Sequence, residues 1–406
     1  MFAGCALLGV AIGYIITLLY RPQLLPPSFR FGGLQRPTTV LLLGVDVVYG
    51  GDRRHLKADP ASFQGRSDTI MLSRFDPIRN SFTVLSIPRD TNCQIPGHGR
   101  QKINGANAIG GEILAMRTIE ELTSVPVEHY VILNVHGLVE LVDALGGITI
   151  NIPKKMHYRD RSAKLNINLE PGPYTLNGTE AMGFVRFRHD ALGDIGRVQR
   201  QELFIQAVLD KALSPQSWAK VPQLLQIAQK HVKTDMQVPQ LMQIITFVRG
   251  VPKANQHMIM LPGNFSGTGD WAVDEDGLKS VVAGMMGETL PSGQRNEIRL
   301  SIENASSDPE LGRKVSRYLN NLGYPVIMTS SKSELFAAPQ AVSRIIAMRG
   351  NPQEAALLKG DLRSHGEIIT ASIGDIQSAL TLVVGDDLSS IAESVVTTQP
   401  RRRRRH

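Results

Sequence analysis

The stretch that decides the fold opens with Gly65-Arg66-Ser67-Asp68-Thr69-Ile70-Met71 and closes with Ser86-Ile87-Pro88-Arg89-Asp90-Thr91. Between these ends, residues 69–75 and 82–87 are rich in β-branched, aromatic and other apolar side chains, and Asp76-Pro77-Ile78-Arg79-Asn80 separates them. The pattern reads as strand, turn, strand, and Pro88, which has no N–H to give a ladder, ends the second strand. Upstream, Val40-Leu41-Leu42-Leu43-Gly44 is a short apolar run of the kind buried inside a sheet. Acids and arginines gather at the ends of these three strands. Asp46 follows the first, Arg66 and Asp68 precede the second, and Arg89 and Asp90 follow the third.

Further along, Ile109, Ile113, Met116, Ile119 and Leu122 recur at three and four residues, which predicts a helix over 104–122 with that face in the core. Lys102 and Asn104 lie at its start. Either can reach a phosphate or a sugar, and Asn104 is equally a favoured N-cap. Residues 130–135 and 148–152 read as strands. Residues 136–145 read as a helix stopped by Gly146-Gly147, and 198–213, 222–231 and 238–248 as further helices. Alternating strands and helices predict an α/β fold with three α-β-α layers. Past Pro291-Ser292-Gly293-Gln294, strands at 298–302, 325–328 and 379–385 and a helix at 309–322 outline a second, smaller α/β unit. The expected organisation is a membrane anchor at 1–20, a Pro/Gly linker at 21–37, the main domain at 38–290, the smaller domain at 296–386 and a basic tail at 387–406.

The chain has 406 residues, room for two or three domains at roughly 100–200 residues each. Its net charge is +7, and five of the positive charges are Arg401 to Arg405, so the folded part is only mildly basic. Aromatic residues are few and no recognition motif appears, which argues against nucleic acid as a partner. Two cysteines, Cys5 and Cys93, define neither a zinc site nor a disulfide framework. Met1 to Tyr20 carries no charge and is long enough to cross a hydrocarbon core of about 30 Å. No small-residue cleavage site follows it, so an uncleaved signal anchor is expected. Arg21, Arg30 and Arg36 on its C-terminal side, taken alone, place the body in the cytoplasm. A stretch upstream of Met1 is expected, and it would change that count.

The acids and arginines have a chemistry in common. Aspartate oxygens suit Mg2+, which commonly takes one or two carboxylates together with phosphate and water. Arginine presents a flat fork of donors that matches phosphate oxygens in pairs. A second basic group lies in Phe184-Val185-Arg186-Phe187-Arg188, followed by Arg197, Arg200 and Gln201. Read as a strand, 184–188 puts Arg186 and Arg188 on one face. Arg197 and Gln201, four apart on a helix, are neighbours. His189 beside Asp190 reads first as a partly exposed loop histidine and second as half of an acid/base couple. Taken singly, any of these Arg–Asp pairs is equally an ordinary surface ion pair. Together they describe a pyrophosphate and metal site.

In order along the chain come Leu43-Gly44-Val45-Asp46, Gly65-Arg66-Ser67-Asp68-Thr69-Ile70-Met71, Ser86-Ile87-Pro88-Arg89-Asp90-Thr91 and Lys102-Ile103-Asn104-Gly105-Ala106. Val142-Asp143-Ala144-Leu145-Gly146-Gly147, Leu176-Asn177-Gly178-Thr179-Glu180-Ala181 and Arg186-Phe187-Arg188…Arg197…Arg200-Gln201 follow. This series resembles the LytR-CpsA-Psr family of bacterial cell-wall enzymes, over about 38–213 and on toward 290. Residues 296–386 resemble the LytR C-terminal domain that some members append. The resemblance implies a membrane anchor with the catalytic domain outside the cell, which overrides the N-terminal charge count. It implies a polyprenyl pocket opening onto a magnesium (or manganese) pyrophosphate site. It implies transfer of a glycan phosphate from an undecaprenyl-pyrophosphate carrier to peptidoglycan or another wall acceptor. On that basis Asp46 and Asp68 hold the metal, and Arg66, Arg89, Arg186, Arg188, Arg197 and Gln201 bind the pyrophosphate. Arg89 and Asp68 are central to catalysis, and Asp90, Lys102, Asn104 and Arg200 support them. The insert 47–64, with Arg53-Arg54-His55, departs from the pattern and loosens the placement of Asp46. The rival readings are a polyprenyl-pyrophosphate pyrophosphatase, with water as acceptor, and a non-catalytic wall-polymer-binding or regulatory protein.

Overall fold

The computed structural model describes residues 33–45, 48–50, 57–59, 63–152, 155–160, 165–187, 193–212, 214–288, 293–333, 336, 338–348, 351–370, 374–375 and 377–391. The expected anchor at 1–20, Asp46, Arg188, His189, Asp190 and the Arg401–Arg405 tail lie outside them. Among the described residues, no helix is long and apolar enough to cross a membrane.

Six strands form the main sheet: β1 (Thr38–Val45), β2 (Ser67–Asp76), β3 (Ser81–Ser86), β4 (His129–Asn134), β5 (Val232–Thr234) and β6 (Gln256–Met260). Their order is β5-β4-β1-β2-β3-β6. β1 runs antiparallel to β2 and parallel to β4, while β3 runs antiparallel to β2 and parallel to β6. The C-terminal ends of β1, β3, β4 and β6 therefore meet the start of β2 along one edge. In open α/β sheets that edge is where ligands bind. Successive residues face opposite sides of a strand. Leu41, Leu43, Ile70, Leu72 and Leu85 enter one core, and Val40, Met71, Phe75, Phe82 and Val84 enter another. Both faces are covered, which is why these strands read as unbroken apolar runs rather than as alternation.

Helices α1 (Gly105–Thr123), α2 (Val135–Leu145), α3 (Gly178–Arg186), α4 (Gly193–Ala212), α5 (Val221–His231), α6 (Val238–Gly250) and α7 (Glu275–Met286) complete the layers. α1 and α7 cover the first core through Ala115, Ile119, Val281 and Met285. α6 covers the second through Val248. A third core gathers Ile148, Ile150, Ile152, Leu176, Phe184 and Phe187.

Three local expectations need correction. The buried face of α1 is Ala106, Asn107, Ala115, Thr118, Ile119 and Thr123, whereas Ile109 and Ile113 are 43% and 54% exposed. Gly110 and Gly111 leave helical geometry, Gly111 with φ 64 and ψ −162, so one periodicity does not run through the element. Asn104 occupies the N-cap position of α1, but its side chain makes no capping bond. Finally, the segment expected as a strand at 184–188 is helical through Arg186. Asn177 accepts from the Glu180 N–H and the Glu180 carboxylate accepts from the Asn177 N–H, and this capping box starts a helix that local strand alternation does not reveal. Phe184 and Phe187, three apart, share its inner face.

The second unit has a five-stranded sheet of β7 (Leu300–Asn304), β8 (Val326–Ser330), β9 (Arg344–Ala347), β10 (Glu367–Ile369) and β11 (Leu380–Val384), ordered β8-β7-β11-β9-β10. α8 (Leu311–Asn321) and α9 (Pro352–Asp361) pack on it through Val315, Leu319, Ala355 and Leu358. Arg295 clasps Asp361 with two bonds of 2.7 and 2.9 Å, and the Tyr324 hydroxyl donates to the same carboxylate at 2.6 Å. The Arg295 guanidinium holds the Asp361 carboxyl below the usual aspartate range. A lowered native value stabilises the fold above the unfolded value and is lost as pH falls through the native one. Arg295→Ala is thus expected to lower the unfolding midpoint of the full chain at neutral pH, with the difference shrinking as pH falls below the ordinary aspartate value and through the lowered native one. Denaturant titrations of both proteins across pH check this.

Candidate active site

At the shared sheet edge, β1 and β2 slip register. Gly44 pairs with Thr69 and Val45 with Ser67, so Asp68 opposes no residue of β1. Asp68 is a bulge residue, and bulges beside active sites re-aim a side chain out of the ladder. Its carboxylate is 33% exposed and meets Arg89 Nη1 at 2.6 Å. Arg89 follows Pro88 just beyond β3 and is 17% exposed. Its Nε lies 3.4 Å from Asp90 Oδ2. Lys102 Nζ donates to Asp90 Oδ1 at 2.9 Å. The result is an alternating series, Asp68, Arg89, Asp90, Lys102, in which each charge faces its opposite.

The main chain fixes this series. The Asn104 N–H donates to the Arg89 carbonyl at 3.2 Å, and the Ser67 N–H donates to the Asn104 carbonyl at 3.2 Å. Asn104 thus ties the two site segments through its backbone, and its side chain does not cap α1. Asn107, almost wholly buried, donates to the Phe63 and Gly65 carbonyls at 2.8 Å each and holds the loop that presents the exposed Arg66.

A wall of the site comes from the hairpin Gly263–Phe265/Trp271–Val273, which follows β6. The Trp271 N–H donates to the Asp90 carbonyl at 2.9 Å, and the fully buried indole enters the core. A Cβ on Gly263 would stand 2.3 Å from the Ala272 carbonyl oxygen and 2.6 Å from the indole Nε1, so only glycine lets the paired strand pass. Asp270 reaches Lys102 Nζ at 3.3 Å. Sequence reasoning missed Asp270: it lies in a Gly/Ser/Thr loop with no motif around it, and only the topology brings it here.

The second basic group is built on other elements. Arg186 is in the last turn of α3, half-buried. Arg200 is buried in α4, donates through Nη2 to the Phe187 carbonyl, and holds its guanidinium 5.2 Å from the centroid of the Phe187 ring. Arg200 thereby braces the end of α3. Gln201 beside it is buried. Arg197 falls within α4.

The donor set at the edge suits Mg2+ to the extent that it is described. One oxygen of Asp68 is engaged by Arg89 and the carboxylate is part-exposed at the mouth, as a ligand shared with phosphate and water requires. Asp46 is the chain neighbour of Val45, whose partner Ser67 adjoins Asp68. No group of three or more acidic, His or Cys side chains able to hold a metal occurs among the described residues.

Residues 29–285, which hold every candidate site residue, match the LytR_cpsA_psr family. The chain belongs to that family. Residues 297–388 match the domain described as LytR cell envelope-related transcriptional attenuator. Among curated relatives, the chain is 37% identical over 204 residues to the polyisoprenyl-teichoic acid–peptidoglycan teichoic acid transferase TagU of Enterococcus faecalis, covering 50% of this chain and 62% of that protein. It is 32% identical over 200 residues to the regulatory protein MsrR of Staphylococcus aureus, covering 49% and 56%. The chain thus spans less than two thirds of these relatives. Among solved structures, a Streptococcus agalactiae protein superposes with a TM-score of 0.53 at 25% identity, over 64% of this chain and 91% of that one. TagV of B. subtilis gives 0.51 at 22%, over 63% and 100%, a likeness of fold.

Proposed function

We propose that this LytR_cpsA_psr protein transfers a glycan phosphate from an undecaprenyl-pyrophosphate carrier to peptidoglycan or another wall acceptor, from a domain anchored outside the cell membrane. The observation that carries the reading is Arg89, packed against the bulged Asp68 at the ligand-binding edge of the sheet. Family membership and the transferase named among the relatives supply the substrate class.

Phosphoryl transfer asks chiefly for positioning and charge neutralisation. The acceptor hydroxyl attacks the phosphorus that bears the glycan, and its proton passes to solvent. The bond from that phosphorus to the bridging oxygen breaks, and polyprenyl phosphate leaves. Arg89 and Arg66 offer forked donors to the pyrophosphate oxygens, and donors aimed at developing charge are commonly the largest catalytic contribution. Asp68 and Asp46 would hold Mg2+, which when bound offsets charge on the leaving phosphate. Arg186, Arg188, Arg197 and Gln201 are assigned to the same pyrophosphate from the α3–α4 side.

Water in place of the hydroxyl makes the same site a pyrophosphatase, and the acceptor separates the two. With labelled lipid-linked glycan, omitting peptidoglycan is expected to reduce release of polyprenyl phosphate at least about tenfold, because water must then replace the acceptor hydroxyl. Undiminished release without acceptor favours hydrolysis. A regulatory role, suggested by the name of MsrR, predicts tight carrier binding with no turnover under either condition.

A further inference from the structure

The charge series that begins at Asp68 does not stop at Lys102. Lys102 Nζ sits between Asp90 Oδ1 at 2.9 Å and Asp270 Oδ1 at 3.3 Å. Asp270 is itself held, because its Oδ2 accepts from Asn92 Nδ2 at 3.3 Å and from Thr268 Oγ1 at 3.2 Å. Its backbone is fixed at the hairpin, where the Ser266 N–H donates to the Asp270 carbonyl at 2.8 Å.

This arrangement addresses a mechanical problem. Lys102 is 43% exposed, and a lysine ammonium on a four-carbon stem has many positions available to it. Two carboxylates, Asp90 and Asp270, the latter held in turn by Asn92 and Thr268, narrow that choice. Lys102 then occupies Oδ1 of Asp90, and Oδ2 faces Arg89 Nε. With Asp68 on Nη1, two carboxylates set the plane of the Arg89 fork. Both outer groups keep their charge through neutral pH. Contact with Asn92, then with Lys102 and Thr268, holds the Asp270 carboxyl below its ordinary range, and the Asp90 carboxylate raises Lys102.

We propose that Asp270 is a positioning residue for Arg89, acting through Lys102 and Asp90, so that the hairpin after β6 sets the anion affinity of an arginine mounted after β3. The inference rests on the reading of Arg89 as a pyrophosphate ligand, and the test separates the two.

The probe is geranyl pyrophosphate with Mg2+, titrated calorimetrically into the full chain. Asp270→Asn keeps the shape and a hydrogen-bonding oxygen but removes the charge, and is expected to weaken binding about two- to fivefold, the range of a solvent-exposed ion pair. Asp270→Glu is expected to recover most of that loss. Lys102→Met is expected to weaken binding as well, and the double variant Lys102→Met/Asp270→Asn to bind no more weakly than Lys102→Met alone. A merely structural aspartate would lower the melting temperature and leave affinity in place, so melting is followed in parallel and is expected to stay within about 2 °C of the parent. Should Asp270→Asn fail to fold, Asp270→Glu against Lys102→Met carries the test. Wild-type affinity in Asp270→Asn, or losses that multiply in the double variant, overturn the proposal. Arg89→Ala is the control: if it abolishes binding while Asp270→Asn binds as tightly as the parent, only the positioning role falls. If Arg89→Ala binds normally, both readings fall.

Discussion

Arg89→Ala is expected to reduce glycan transfer about 10²–10³-fold, the cost of removing one preorganised donor from a site of developing negative charge. The fold is expected to survive. Arg89 lies past the end of β3, and none of the apolar cores depends on it. Its backbone is tied independently, by the Asn104 N–H on its own carbonyl and the Trp271 N–H on the next. The local cost is a carboxylate, Asp68, left without its 2.6 Å partner, but at 33% exposure water can take the place of the guanidinium. Arg89→Lys keeps the charge but not the fork, and lysine as a point charge cannot grip two phosphate oxygens in one plane. It is expected to recover a minor part of the activity. Turnover of labelled lipid-linked glycan, with a melting curve for each variant, checks both. Arg89→Ala turning over at the parent rate would remove the central residue of the site.

How much of this was open to reading depends on the range of the interaction. The central strands were legible because covering both sheet faces forces long apolar runs, as in Leu41 to Leu43 and Ile70 to Leu72. The neighbourhood of Asp68, Arg89 and Asp90 was legible because each sits where an apolar run stops, at the end of the sheet where these strands meet. Three features were not. The kink at Gly110–Gly111 turned Ile109 and Ile113 outward, since two phases of one periodic pattern look like one helix when the break consists of glycines. The strand expected at 184–188 failed because a capping box seven residues earlier, Asn177 with Glu180, had already started a helix. Asp270 was invisible because its role lies in contacts with Asn92 and Lys102, more than 150 residues away in the chain. The register slip at Asp68 belongs with these, because pairing between strands is long-range information.

That slip underlies the second large effect. A regular ladder would pair every residue of β2 with one of β1 and fix Asp68 in the pleat. The bulge between Gly44/Val45 and Ser67/Thr69 leaves it unpaired and free to present its carboxylate at the sheet edge. On the proposed reading Asp68 has two tasks, orienting Arg89 and offering an oxygen to a divalent cation, and substitutions divide them. Asp68→Asn keeps an acceptor for Arg89 Nη1 but loses the charge that Mg2+ requires. Asp68→Ala loses both. Each is expected to lower magnesium-dependent transfer by about 100-fold or more, since the cation accounts for several kcal/mol of charge stabilisation in such reactions. The asparagine variant should nonetheless retain geranyl pyrophosphate binding in the absence of metal, because Arg89 stays oriented. The alanine variant should lose part of it. Measuring both variants with and without Mg2+ distinguishes a metal ligand from an arginine brace. Equal behaviour of the two with Mg2+ and a difference only without it supports the double role. Full turnover by Asp68→Ala at saturating Mg2+ refutes the metal assignment and leaves Asp68 as a brace alone.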